Sequence, residues 1–305
     1  VATNRKGLWR QVCRNRHFYL FVSPFFILFA VFGLYPLAFS LVLSFARWDG
    51  LTELRWVGFA NFSAVLTDEF FYTSLWNTLA IGFLSIPPML LAAFALAVLL
   101  NTSWIRMRTA FRAAIFLPCV TPMVVVALVF TLLYGHEFGL INYFIVQAKS
   151  LMPFLPIEPV PWLLSETWSK PAVALLLIWR WTGYFMVLMM AGLQGIPPEY
   201  YDAARIDGAG TLQRMRFITL PLMRPVFIFC GILSLIGTVY MFDEVFVLTQ
   251  GGPGISSMNF GLYLFNTSFV DFKFGYASCM AYLVAVVVFF ASLAILKYRR
   301  EEGNS

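Results

Sequence analysis

The chain has 305 residues, 60% of them hydrophobic and only 12% charged, with a formal net charge of +6. Soluble domains carry about 25% charged residues, so this composition excludes a soluble globular domain and points to an integral membrane protein. Cys13, Cys119, Cys230 and Cys279 are scattered without a CxxC pair and three of them lie in apolar runs, which reads as packing rather than a disulfide framework or a metal site.

A bilayer-spanning helix needs about 20 predominantly apolar residues. The chain opens on Val1 rather than Met, read as a truncated or processed start, and its first apolar run is too long for a cleavable signal peptide. A basic tail, residues 1–19, leads into a first expected span at 20–45. Loop 47–74 then holds Asp49, Glu53, Asp68 and Glu69 among aromatic residues. The second span, 75–100, contains Pro87-Pro88, and the third, 111–134, contains Pro118 and Pro122; each proline removes a helix hydrogen bond and predicts a kink. Residues 135–170 form a long Pro-rich loop (MPFLPIEPVPW) without clear helix signals. Such loops are often functional; a cap over the helix ends and a docking surface for an extracytoplasmic partner fit equally well. The remaining spans are 171–194, 222–248 and 275–297, followed by a short tail at 298–305.

Basic residues divide unevenly between the two sides that these spans define. Arg5, Lys6, Arg10, Arg14, Arg16, Arg106, Arg108, Arg112, Arg205, Arg214, Arg216, Arg224, Lys297, Arg299 and Arg300 fall on one side; Arg47, Arg55, Lys149, Lys170 and Lys273 fall on the other. The positive-inside rule puts the richer side, and with it both termini, in the cytoplasm. Topology thus accounts for the positive charge, and nucleic acid is not an expected partner.

Residues 199–223, between the fourth and fifth spans, are polar. Pro197-Pro198 can open a helix, since the first turn leaves its donors free, and Glu199 and Asp202 favour its positive end. Ala203 and Ala204 allow close approach to another surface. Gly208 and Gly210 permit a turn before a second helical piece, and Leu220-Pro221 is expected to separate that piece from the fifth span. A docking motif for a soluble partner competes with an interfacial loop that snorkels its arginines to headgroups.

The same stretch resembles the signature cytoplasmic loop of bacterial ABC importer permeases: E-A-A, three residues, G, nine residues, I, one residue, L-P. Here it reads Asp202-Ala203-Ala204, Gly208, Ile218 and Leu220-Pro221, with Asp202 standing where the family usually has Glu. VGFANF (57–62), NTL (77–79), AGLQGIP (191–197) and FDEVFVLTQGGP (242–253) are similar to the maltose-type, carbohydrate-uptake branch, which imports oligosaccharides and related polyols. The resemblance implies an all-α membrane protein of six transmembrane helices with type I importer architecture. It implies a coupling loop at 195–221 within a permease domain at 20–297, in the bacterial cytoplasmic membrane. It also implies a second homologous permease, two ATPase subunits, an extracytoplasmic solute-binding protein and contact with lipid. Glu199, Asp202, Ala203, Ala204, Asp207, Gly208, Ile218 and Pro221 would couple to the ATPase. The chain has no GxxxxGK[ST] phosphate loop, so ATP and Mg belong on the partner subunits and no cofactor is expected on this chain.

Arg180 lies about 14 Å into the fourth span at about 1.5 Å per residue, flanked by Trp179, Trp181 and Tyr184. An ionisable group at that depth needs a partner or a wet cavity. Asp243 and Glu244 lie toward the outer end of the expected fifth span, so an ion pair bracing two helices is one reading. The other is a translocation path with Trp179, Arg180, Trp181, Tyr184, Tyr240, Asp243 and Glu244 on its wall. Aromatic faces stack on sugars and Arg forks grip carboxylates, which would suit an acidic, uronate-type oligosaccharide. His17 and His136 have no metal-ligand spacing, and no catalytic arrangement is found. A secondary transporter driven by an ion gradient is the competing function; it would need buried acids along the path and inverted repeats, neither of which is clear.

Overall fold

The computed structural model describes residues 14–102, 106–151 and 158–302. Arg5, Lys6, Arg10, Cys13 and residues 152–157 of the Pro-rich loop lie outside the described residues. The chain divides into two compact units, one of residues up to Thr67 with Thr267–Ala285, the other of Asp68–Asn266 with residues from Val286 on.

In the first unit, α1 (Arg16–Leu43) is a 28-residue apolar helix with one wide turn at Ala30–Leu34. Pro36 follows immediately and cannot donate to the carbonyl four residues back, which lies inside that turn. Strands β1 (Ala46–Arg47) and β2 (Arg55–Trp56) pair antiparallel. Between them the Asp49 carboxylate accepts from the Thr52 and Leu51 backbone N–H groups at 2.7 and 2.9 Å, which holds its pKa down to about 2. This turn is therefore stabilised above the ordinary carboxylate range and loses that stabilisation as pH falls through about 2. Helix α2 (Ala60–Leu66) is tied back by Asn61, whose amide donates to the carbonyls of Ser44 and Ala46, both at 2.9 Å.

The second unit begins with α3 (Glu69–Asn101), capped by Asp68 and continuous through Pro87-Pro88, where kinks were expected. At its far end Arg112 donates to the Leu100 carbonyl at 2.8 Å. The expected third span, 111–134, is two helices, α4 (Arg108–Val120) and α5 (Met123–Leu133), bent by 95°. Thr121 precedes Pro122 and is forced extended, ψ 136°, which stops α4. The Pro-rich loop, expected without helices, contains α6 (Leu140–Leu151); Ile141 and Ile145, one turn apart, pack against the core. Helix α7 (Ser169–Gln194) is the fourth span, and α8 (Pro198–Ile206) follows it.

Two boundaries of the fifth span differ from expectation. Helix α9 runs Thr211–Val239, so Leu220-Pro221 does not separate it from the polar loop. The chain passes Pro221 by a wide turn at Met215–Thr219, as α1 passes Pro36. At the other end α9 stops nine residues early and the chain resumes as α10 (Asp243–Leu248). The Met241 carbonyl is taken by the Asn259 amide instead of a helix donor. Helices α11 (Phe260–Val270) and α12 (Phe274–Glu302) complete the described residues. Among the described residues five helices are long and apolar enough to span a membrane, six if the bent α4–α5 pair counts as one.

Helix α7 packs on α3 through the small residues Ala93 and Ala97 and the flexible Met186 and Met189. Against α4 it uses Gly183: a Cβ there would stand 2.0 Å from the Ile115 carbonyl oxygen, so only glycine permits this approach. Gly183→Ala must push α4 away, and overpacking of this kind costs about 1–3 kcal/mol. Thermal unfolding of the detergent-solubilised protein is expected to shift clearly downward for this variant; an unchanged transition would contradict the packing.

Candidate functional site

A cavity of about 610 Å³ lies among α3, α7, α9 and α10. Helices α3, α7 and α9 each contribute one stripe at i, i+3 or i+4 spacing. Helix α7 presents Leu177, Arg180, Trp181 and Tyr184; α9 presents Leu233, Ser234, Gly237 and Thr238; α3 presents Ser85 and Met89. The break after α9 brings Tyr240 and Phe242 to the wall, and the first turn of α10 adds Asp243 and Glu244.

The expected ion pair does not form: neither Asp243 nor Glu244 is paired with Arg180. The physical reason is the early end of α9, which moves both acids onto a separate short helix. The Arg180 guanidinium instead lies 5.5 Å from the centroid of the Trp181 ring and donates to the Met123 sulfur, while its Nε is buried without a partner. Glu244, only 8% exposed, accepts from the Trp181 indole N–H at 3.4 Å, whereas Asp243 is exposed. Trp181 meets Tyr184 edge-on at 5.9 Å. Trp179 is not part of the cavity; it is 49% exposed and packs on Phe130 at 5.3 Å. The remaining path residues named from the sequence, Arg180, Trp181, Tyr184, Tyr240, Asp243 and Glu244, share this one cavity.

Sequence reasoning missed the hydroxyls. Ser85, Ser234 and Thr238 donate to the carbonyls of Ile81, Cys230 and Ser234, four residues back, at 2.8–2.9 Å. Their protons are used, so they offer the cavity acceptor lone pairs. The available signal was the presence of small polar residues at helical spacing within apolar runs.

The polar loop lies at the junction of α8 and α9. Pro198 occupies the first turn of α8 and Glu199 its positive end. Asp202 forms a 3.1 Å ion pair with Arg205 on the helix surface, where such pairs contribute little. Ala203 is exposed, Ala204 half-buried, and Asp207 ends the helix. Gly208 has φ +79°, a left-handed conformation that glycine accepts at no steric cost, and its N–H donates to the Arg205 carbonyl. Gly210 is extended, with its N–H satisfied by the Gln213 side chain at 2.8 Å. The Tyr201 and Thr219 hydroxyls, 3.0 Å apart, lock α8 to the wide turn of α9 that carries Ile218 and precedes Pro221. Ile206 and Leu212 are 87% and 80% exposed within this polar segment.

Apolar spans around a mixed polar and aromatic cavity, with a polar loop between two of them, define a membrane permease. The chain belongs to the family of binding-protein-dependent transport system inner membrane components, whose profile matches residues 89–300. It is 35% identical to the lactose transport system permease protein LacF of Rhizobium radiobacter, over 98% of this chain and 97% of that protein. It is 34% identical to the arabinooligosaccharides transport system permease protein AraP of Bacillus subtilis, over 97% and 93%. Its fold matches a chain in the crystal structure of a bacterial ABC transporter that imports the acidic polysaccharide alginate, with a TM-score of 0.81 over 96% of this chain and 98% of that one, at 22% identity. The resemblance to ABC importer permeases is therefore borne out, and the chain is a transport component rather than an enzyme.

Arg180 contributes charge without an ion pair and leaves one buried nitrogen unsatisfied, an arrangement that does not favour folding. Arg180→Met is expected to leave thermal stability in detergent unchanged or raise it. A clear drop would contradict this account of the side chain's surroundings.

Proposed function

We propose that this chain is a permease subunit of an ATP-driven importer that moves a neutral oligosaccharide into the cytoplasm. The observation that carries the choice of solute is the charge of the cavity wall, one guanidinium against two carboxylates. Like charges repel strongly away from bulk water, so this wall disfavours a polyanion. Trp181, Tyr184 and Tyr240 supply ring faces, the three hydroxyls accept from sugar O–H groups, and Arg180 donates. The names of the relatives LacF and AraP, which point to lactose and arabinooligosaccharides, support the same choice. An acidic saccharide is the second reading, favoured by the unpaired Nε of Arg180.

In this reading a second permease completes the membrane part, two ATPase subunits bind ATP and Mg, and an extracytoplasmic binding protein delivers the solute. The excess of basic residues puts α8, its loop and both termini in the cytoplasm. The segment around Asp202, Ala203, Ala204 and Gly208, with the exposed Ile206 and Leu212, docks in a cleft of an ATPase subunit. Tyr201–Thr219 passes its movement to α9 and so to the cavity wall.

ATP hydrolysis by the reconstituted assembly tests the solute: neutral oligosaccharides with the binding protein are expected to stimulate it, and stimulation by acidic oligomers alone would overturn the neutral reading. Gly208→Pro tests the coupling. Proline cannot adopt φ +79° and removes the N–H bonded to Arg205. Membrane insertion should be normal and solute uptake abolished; wild-type uptake would refute the coupling role of this loop.

A further inference from the structure

The loop between α10 and α11, residues 249–259, is non-helical; turn bonds such as Ser256 N–H to Pro253 and Ser257 N–H to Gly251 fold it on itself, and side chains of neighbouring helices hold it in place. Asn77, 2% exposed on α3, supplies two such bonds: its side-chain amide donates to the carbonyls of Ile255 at 2.9 Å and Met258 at 3.0 Å. The next residue, Thr78, accepts from the Phe260 backbone N–H at 2.8 Å and donates to Ser74. The grip continues through Asn259, which accepts from the Leu262 N–H and donates to the Met241 carbonyl. Met241 lies where the fifth span has stopped and α10 is about to begin. Gly261 closes on the same carbonyl, 2.2 Å from where its Cβ would be. A second tie, Ser256 to Ser169 at 3.0 Å, holds the loop to the start of α7.

These bonds form one relay, from α3 through the loop to Met241, two residues before α10. Its output is the placement of Asp243 and Glu244 on the cavity wall. The grip comes from a continuous helix, so its geometry is rigid where the loop alone would not be.

We propose that Asn77 is a positioning residue of the transport reaction: by fixing loop 249–259 it sets where Asp243 and Glu244 meet the solute. This rests on the reading of the cavity as the solute path. Asn77 itself touches no solute; it acts through Asn259 and Met241.

The test compares Asn77→Asp with Asp243→Asn in the full reconstituted assembly, using the neutral oligosaccharide that stimulates the wild type best. Asn77→Asp preserves shape but puts a carboxylate against two carbonyls. The KM for solute is expected to rise about tenfold, the scale of one or two lost hydrogen bonds, while kcat for ATP hydrolysis changes less than about twofold. Asp243→Asn should also raise KM. A raised KM for Asp243→Asn with an unchanged KM for Asn77→Asp would overturn the positioning role and leave the cavity reading standing. An unchanged KM in both would overturn both. A raised KM for Asn77→Asp alone would show that the loop does not act through the acid, contrary to the proposal. Should Asn77→Asp fail to assemble, Thr78→Val removes one bond of the same grip at constant volume. It is then expected to raise KM about threefold, and an unchanged KM would overturn the proposal.

Discussion

Everything in the larger unit depends on how closely α7 is packed. Its apolar window is 56% buried, against 28% or less for each of the other long helices. That burial is possible because Ala93 and Ala97 leave room on α3 and Gly183 removes the Cβ that would strike Ile115 on α4. Arg180, Trp181 and Tyr184 are carried midway along this helix, and α8 follows directly from its end. A rigid rod thus joins the cavity wall at its centre to the polar loop at its end. Dense packing is bistable rather than continuously deformable, so a push on the loop can become a rearrangement at the cavity.

The cavity chemistry follows from the cost of polar groups among apolar helices. Ser85, Ser234 and Thr238 satisfy their own protons within their helices. Glu244 is held by an indole N–H, and Arg180 by a ring face and a thioether. None of these contacts is as strong as an ion pair, and all leave polar capacity directed at the cavity. A solute rich in hydroxyls can use that capacity, and because the wall contacts are weak it can also leave.

Much of this was legible in the sequence. Apolar length located the long helices, and the spacing from Asp202 to Pro221 located the loop, including the glycine whose left-handed φ the turn requires. The errors arise where helix geometry or a tertiary partner overrides the simplest local signal. Proline was read as a stop at Leu220-Pro221, yet a wide turn absorbs it. The kink expected at Pro122 is present as a 95° bend, whereas Pro87-Pro88 lie within one continuous helix. Residues 222–248 read as one apolar run, but Asn259, far along the chain, takes the carbonyl of Met241 and ends the helix. The acids then lie on α10, where neither pairs with Arg180, and no local pattern encodes that break. Trp179 was grouped with its neighbours by adjacency alone; helical geometry turns it to the opposite side, against Phe130.

The proposed coupling of the polar loop to α9 implies that the cavity opens to one side of the membrane at a time, driven by an ATPase subunit docked on that loop. Cysteine placed at Thr238, in a background with Cys13, Cys119, Cys230 and Cys279 replaced by serine, reports this directly. Its modification by a membrane-impermeant thiol reagent would be measured from each side of reconstituted vesicles, without nucleotide and with ATP in a trapped state. The account predicts modification from the loop side without nucleotide and from the opposite side with ATP. Modification from the same side in both states would contradict it.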